Sequence, residues 1–171
     1  MSPMLERAIA TPDGFTLGAT VGSLRHGGSD PTCRVAGGRW WFGQSTPDGP
    51  ATLGLEARSG VVLAQAWGPG AAWAIEAAPD LLGIADDPSG FVAHHELAAA
   101  GARSLAGWRI PRSRLVLQSL IPAIIEQRVT GKEAFGSHTR LVRRFGEPAP
   151  GPGADLGLRV PPAPREWARI P

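Results

Sequence analysis

Several things this sequence has little or none of narrow its class before any pattern is read. Cysteine is nearly absent, with Cys33 as the single one. One thiol cannot close an internal disulfide, so the chain suits a reducing cytoplasm. Cys33 falls in a strand-like stretch, where a buried and inert thiol is expected. Lysine is almost missing as well: sixteen of the seventeen bases are arginine, and Lys132 is the exception. No apolar run reaches the roughly 18 residues that span a bilayer. The opening MSPMLERAIA mixes acid and base and has no signal-peptide core. Walker-type and dinucleotide loops, a GxSxG elbow and Cys/His zinc spacing are all missing, and there are no internal repeats. His94-His95-Glu96 invites a metal reading. Neighbouring residues on a helix do not face one another, however, and no further ligand is correctly spaced. Neither a metal nor a cofactor is expected.

What is present is loop-rich but able to fold. A chain of 171 residues can bury a core without staples. Hydrophobic residues make 43%, and 23 Gly with 17 Pro imply many turns. The net charge of +2 hides an asymmetry. Residues 1–100 carry five Arg against ten Asp/Glu, residues 101–146 carry nine bases against two Glu, and residues 147–171 balance. A clustered positive segment is the usual footprint of a polyanion partner, although solvated helix faces are often basic too.

Residues 14–67 read as an antiparallel meander. Phe15, Leu17, Ala19 and Val21 alternate with smaller or polar residues, as in a half-buried strand. Thr32–Ala36 and Arg39–Gln44 flank Gly37-Gly38, a hairpin turn. Pro47-Asp48-Gly49-Pro50 is a second turn, and Ala51–Ala57 and Val61–Trp67 are joined around Ser59-Gly60. Trp40-Trp41-Phe42 places aromatics on both faces, core on one side and a helical cover on the other. The pattern changes at Gly68. Ala71, Trp73, Ile75, Leu81 and Leu82 fit a short helix broken at Pro79, residues 86–90 a loop, and residues 94–100 another short helix.

Two longer helices follow, near 114–128 and 131–145. Ser113 is placed to cap the first, whose apolar stripe is Leu117, Leu120, Ile121, Ile124 and Ile125, with Pro122 inside it. Thr130 and Glu133 match a capping box for the second. That helix carries Phe135, Leu141, Val142 and Phe145 on one face, with Arg140, Arg143 and Arg144 beside it, and Gly146 should stop it. Residues 147–164 read as a Pro/Gly-rich extended linker crossing the surface, and residues 165–170 as the start of a further helix. The expected fold class is α+β: a sheet with short helices in a domain over 1–100, the first helices of an all-α domain over 101–146, and the linker with a truncated helix over 147–171. Two long helices give Leu120, Ile124, Phe135, Leu141 and Phe145 few neighbours, so an exposed apolar surface is expected there.

The stretch Ser119-Leu120-Ile121-Pro122-Ala123-Ile124-Ile125-Glu126-Gln127-Arg128-Val129-Thr130, followed by Leu141-Val142-Arg143-Arg144-Phe145-Gly146-Glu147, resembles the opening of the helical domain in the helix-hairpin-helix DNA glycosylases. Gly49-Pro50-Ala51-Thr52-Leu53 and Ala66-Trp67-Gly68-Pro69-Gly70-Ala71 resemble stretches of the bacterial 3-methyladenine DNA glycosylase II branch. The resemblance spans most of residues 14–171. It implies base excision: a damaged base is flipped from the duplex, its glycosidic bond is cleaved, and a wedge side chain fills the gap. Gln127 and Arg128 match the wedge turn, with Thr130 closing it. Arg128 stands where relatives carry Leu or another side chain. Arg112, Arg114, Lys132 and Arg140 are the implied phosphate contacts.

The family's Gly-x-Gly hairpin and catalytic Asp are expected beyond residue 171. Gly151-Pro152-Gly153-Ala154 is not that hairpin, and Asp155 sits in the linker, so no catalytic residue is carried over. The expected protein is a monomeric, cytoplasmic, nucleoid-associated bacterial DNA-binding chain that contacts damaged duplex, has no membrane association and is inactive alone. A non-catalytic DNA-binding module and a protein-interaction domain for an acidic partner are the alternatives.

Overall fold

The structure, a computed structural model, describes residues 4–170. It is α+β, as the sequence pattern predicts. Five antiparallel strands are β1 (Leu5–Ala10), β2 (Cys33–Ala36), β3 (Arg39–Thr46), β4 (Gly49–Arg58) and β5 (Val61–Trp67), in the order β1-β5-β4-β3-β2. Strands β2 to β5 form the expected meander. Gly37 and Gly38 both take positive φ at its first turn, which side-chain-bearing residues resist.

Register explains how the sheet sorts its side chains. Cys33 pairs with Phe42, Phe42 with Leu53, and Leu53 with Ala66, so the four share one face. All four are buried, under α2 (Ala71–Leu81) and a short helix α1 (Leu17–Gly22). Burial pushes the Cys33 thiol up to about 12, which makes it inert as expected.

Four local expectations need correction here. The Phe15–Val21 alternation is not a strand: residues 17–22 are helical, and their buried positions are Leu17, Thr20 and Val21, a helical spacing. The Trp40 ring packs beside Gly18 and Gly22 of this helix. The fifth strand is instead β1, which lacks apolar alternation and is templated by β5 along Leu5↔Ala66 to Ala10↔Val61. Pro79 does not break α2. It lies in the last turn, where one missing donor costs little beside the burial of Ala77, Ala78, Leu81 and Leu82. Ser113 does not take the N-cap position of the next helix, α4 (Val116–Ile125). Leu115 does, and the Ser113 hydroxyl accepts from the Leu115 N–H at 3.2 Å.

The largest correction concerns residues 147–164, which are not an extended linker. They fold as β6 (Glu147–Pro148), α6 (Pro152–Asp155) and β7 (Arg159–Val160), and cover the second face of the sheet. Ala149, Leu158 and Val160 are buried there with Trp41, against Trp67. The aromatic triplet is thus divided: Trp40 and Phe42 face the helices, and Trp41 faces this cover. The cover sits close because the sheet is bare beneath it. A Cβ on Gly43 would collide with the Arg159 backbone, while Gly54 lets the Trp41 ring of β3 lie across the sheet beneath the cover, where a Cβ would be 2.9 Å from it. The Thr52 hydroxyl donates to the Pro150 carbonyl at 2.6 Å. The chain closes with a four-residue helix, α7 (Pro164–Trp167).

Helix α5 (Gly131–Phe145) runs back along α4 and is tied to the sheet layer at several points. Phe135 packs on Gly27, the Thr139 hydroxyl donates to the Ser29 carbonyl at 3.5 Å, and the Arg159 guanidinium donates to the Val142 and Gly146 carbonyls at its C-terminus. Gly146 ends α5 as expected, but in extended rather than left-handed conformation. Glycine is required there because the Val142 and Val160 carbonyls close on its α-carbon. Helix α4 packs along α5, and one side chain bonds it to the sheet. β3 outruns β2, and Gln118 completes the ladder: its amide donates to the Gly43 carbonyl at 3.1 Å and accepts from the Ser45 N–H at 3.2 Å.

Candidate nucleic-acid interface

The turn between α4 and α5 comprises Glu126 to Thr130, and every one of these residues is exposed. Helix α4 ends at Ile125, sooner than the periodicity suggests, and Gln127–Val129 form an exposed connection that opens on a turn in which the Gln127 N–H donates to the Ile124 carbonyl at 3.3 Å. The connection's far end is made rigid by the predicted capping box. The Thr130 hydroxyl accepts from the Glu133 N–H at 3.4 Å, and Glu133 Oε2 accepts from the Thr130 N–H at 3.0 Å and from its hydroxyl at 2.8 Å. The hydroxyl and then the backbone bond hold the Glu133 carboxyl below its usual range.

Beyond the cap, α5 divides its charge from its core cleanly. Ala134, His138, Thr139 and Val142 are buried. Lys132, Arg140 and Arg144 fall on a four-residue repeat with Gly136, and Arg143 lies beside them; at about 100° per residue they share the opposite face. All four are exposed, and among the described residues none forms an ion pair with a carboxylate. Arg140 donates to the Ser137 hydroxyl at 3.0 Å, and the Arg144 guanidinium lies 5.1 Å from the Phe145 ring centre. Arg143 and Arg144 also complement the helix dipole in the last turn. Their place in the row was legible from the four-residue spacing, although they are not among the contacts the resemblance implies.

Arg112 and Arg114 are placed differently. They precede α4, whose ten residues separate them from the turn by about 15 Å. Arg114 pairs with Asp80 and lies 3.8 Å from Glu76, and Arg112 lies 3.6 Å from Asp80. Arg114 takes φ of 55°, a left-handed conformation unusual for a side-chain-bearing residue. These two charges brace the end of α2, so the structure joins Gln127, Arg128, Thr130, Lys132 and Arg140 in one region and leaves Arg112 and Arg114 apart.

The remaining candidates have plain local roles. His95 Nδ1 accepts from the Leu97 N–H at 3.1 Å and so caps α3 (Glu96–Ser104). Among the described residues no group of three His, Cys, Asp or Glu is placed to hold a metal, and no helix is long and apolar enough to cross a membrane. Asp155 is exposed on α6, within the cover over the second sheet face. The outer side of α4 is apolar: Val116, Leu120 and Ile124 are 75%, 46% and 59% exposed, while Phe135, Leu141 and Phe145 are half-buried.

Comparison with solved structures gives this arrangement a setting. The chain is similar to a 3-methyladenine DNA-glycosylase from Archaeoglobus fulgidus, with a TM-score of 0.74 over 95% of its length and 15% identity. The fold is DNA-glycosylase-like. The chain spans 58% of the length of that enzyme. No protein-family model matches it, and no curated protein matches it significantly. At this identity the likeness is one of fold, and the residues of the turn and of the basic row are judged by their own geometry.

Proposed function

We propose that these residues form the N-terminal sheet domain and first helices of a base-excision-repair DNA glycosylase. In this reading it belongs to the helix-hairpin-helix superfamily, in the bacterial 3-methyladenine DNA glycosylase II branch, and serves removal of alkylated purines from duplex DNA. The observation that carries the reading is the exposed turn of a glycosylase-like fold, rigidly capped and continued by four unpaired cations on one helix face. The cations meet backbone phosphates, which positions the duplex without reading sequence. Arg128, at the tip, enters the stack in place of the extruded nucleotide, and Gln127 borders it. A rigid turn suits this task because a mobile wedge loses ordering entropy on every insertion.

The reading assigns no catalytic residue to these 171 positions. Glu133 is committed to its cap, and Asp155 lies in the cover over the second sheet face. The carboxylate and hairpin that would complete the site are proposed to lie outside them. Residues 1–100 and 101–146 are the proposed sheet and helical domains, and the proposed ligand is damaged duplex DNA, bound by a monomer.

Duplex binding measured by fluorescence anisotropy across a salt series tests the surface. Replacing Lys132, Arg140, Arg143 and Arg144 together by Gln should weaken binding to every sequence. The slope of log K against log salt should flatten by about 0.9 for each phosphate left without its cation. An unchanged slope, or no salt-dependent binding by the parent chain, would refute it, and tight binding to an acidic protein instead would favour an interaction domain.

A further inference from the structure

Beneath the turn, two histidines and a glutamate from three separate segments meet. His26 lies in the loop between α1 and β2, His138 on the buried face of α5, and Glu126 at the C-cap of α4. The two imidazoles stand edge to face with centres 5.2 Å apart, and His26 Nδ1 is 3.5 Å from Glu126 Oε1. Both rings line a cavity of about 50 Å³ between the sheet and α4. Two buried atoms of its lining, Gln44 Oε1 and His138 Nδ1, have no hydrogen-bond partner in the protein.

The loop from 26 to 30 is fixed to α5 by Gly27 under Phe135 and by Ser29 accepting from Thr139. It is fixed internally by Asp30, which is fully buried and accepts from the Thr32 N–H and hydroxyl and from the His26 N–H. Toward the end of α4 its polar tie is the His26–Glu126 contact. Glu126 is the residue from which the turn departs, so that contact links the near end of the turn to the sheet layer.

We propose that His26, His138 and Glu126 form a proton-operated clasp that positions the Gln127–Thr130 turn, closing when one proton sits on His26 and loosening when both imidazoles are neutral. The geometry orders the protons. His26 is partly open and faces a carboxylate, whereas His138 is buried and faces His26, with Asp30 and Glu126 as the nearby acids. Burial holds His138 below the ordinary histidine range, so it stays the neutral partner of the pair. A charged His26 gains an ion pair with Glu126 and rests its edge against the neutral ring. A second proton would bury a charge beside a like charge. The consequence for DNA rests on the reading of the turn given above. The clasp itself does not.

The test uses the 171-residue chain, labelled with ¹⁵N and titrated from pH 8 to 5.5 by NMR. The expected result is that the amides of Gln127, Arg128 and Val129 shift with the same midpoint as the His26 imidazole. Glu126 is exposed, so E126Q should fold normally. In it the imidazole should still titrate while the turn amides lose at least half of their response. Turn amides that stay still in the parent chain as His26 titrates, or a response unchanged in E126Q, would overturn the proposal. Because no DNA is present, a chain that shows the coupled titration and fails to bind duplex supports the clasp while refuting the DNA reading.

Discussion

Replacing Gln118 by leucine should cost far more than its place on a partly exposed helix suggests. The leucine keeps the volume and the helix propensity of the site but carries neither donor nor acceptor. Gly43 C=O, which is buried, and Ser45 N–H, which is half-buried, then face the side of β3 that β2 does not reach. A stranded buried polar group costs about 1–3 kcal/mol. One group is buried and the other half-buried, so the expected loss is about 2–4 kcal/mol. For a domain of this size each kcal/mol lowers Tm by about 2–4 °C, so the midpoint should fall by roughly 5–12 °C. Differential scanning calorimetry on parent and Gln118→Leu chains measures it. Gln118→Glu separates the two bonds: its carboxylate still accepts from Ser45 but cannot donate to Gly43, so near pH 7 it should retain part of the loss. A change under about 2 °C for Gln118→Leu would mean that water replaces the amide freely, and that α4 is not held to the sheet by this side chain.

Two further outcomes follow from the same packing. The unfolded chain takes up a proton on His138 that the folded chain refuses, because burial lowers the folded value from 6.5. The stability this histidine contributes is therefore complete above pH 6.5 and declines as pH falls below it, a window above that of Glu133 and Glu56, whose depressed values act below 4.5. On acidification from pH 8 to 5 the urea midpoint of the parent should fall relative to that of His138→Gln; a difference between the two that does not vary with pH would show that the ring is charged or solvated in the fold. On the outer face of α4, Leu120→Lys with Ile124→Lys should leave the urea-measured stability within about 0.5 kcal/mol, as exposed sites do. A loss above about 1.5 kcal/mol would mean that this stripe is buried within the 171 residues.

Much of this protein was legible where the determining physics is local. The Gly37-Gly38 hairpin, the turn at residues 47–50 and the Thr130–Glu133 capping box each depend on a few adjacent residues, and each forms where the sequence places it. The helical period of residues 131–145 likewise predicted which side of α5 would be buried, and the same period applied to its bases would have added Arg143 and Arg144 to the candidate row. The exposed connection at Gln127–Val129 was harder to place, because the apolar stripe of α4 runs on to Ile125 without a strong stop.

What failed to show in the sequence depends on partners distant along the chain. Strand β1 has no apolar alternation and exists because β5 offers it an unpaired edge. Residues 15–21 fit two periods, and Trp40, about twenty residues away, selects the helix by packing on Gly18 and Gly22. Arg112 and Arg114 read as free cations until α2 brings Asp80 to them. The Pro/Gly-rich stretch reads as a linker because composition reports stiffness and turns, not destination. Its close seating depends on Gly43, where a Cβ would collide with the Arg159 backbone. The sequence by itself therefore determined the turns, the caps and the amphipathic faces, whose energetics close within one or two helical turns. Tertiary structure alone decided which charges are neutralised, which face is covered and where His26, His138 and Glu126 meet, because those contacts join segments up to a hundred or so residues apart.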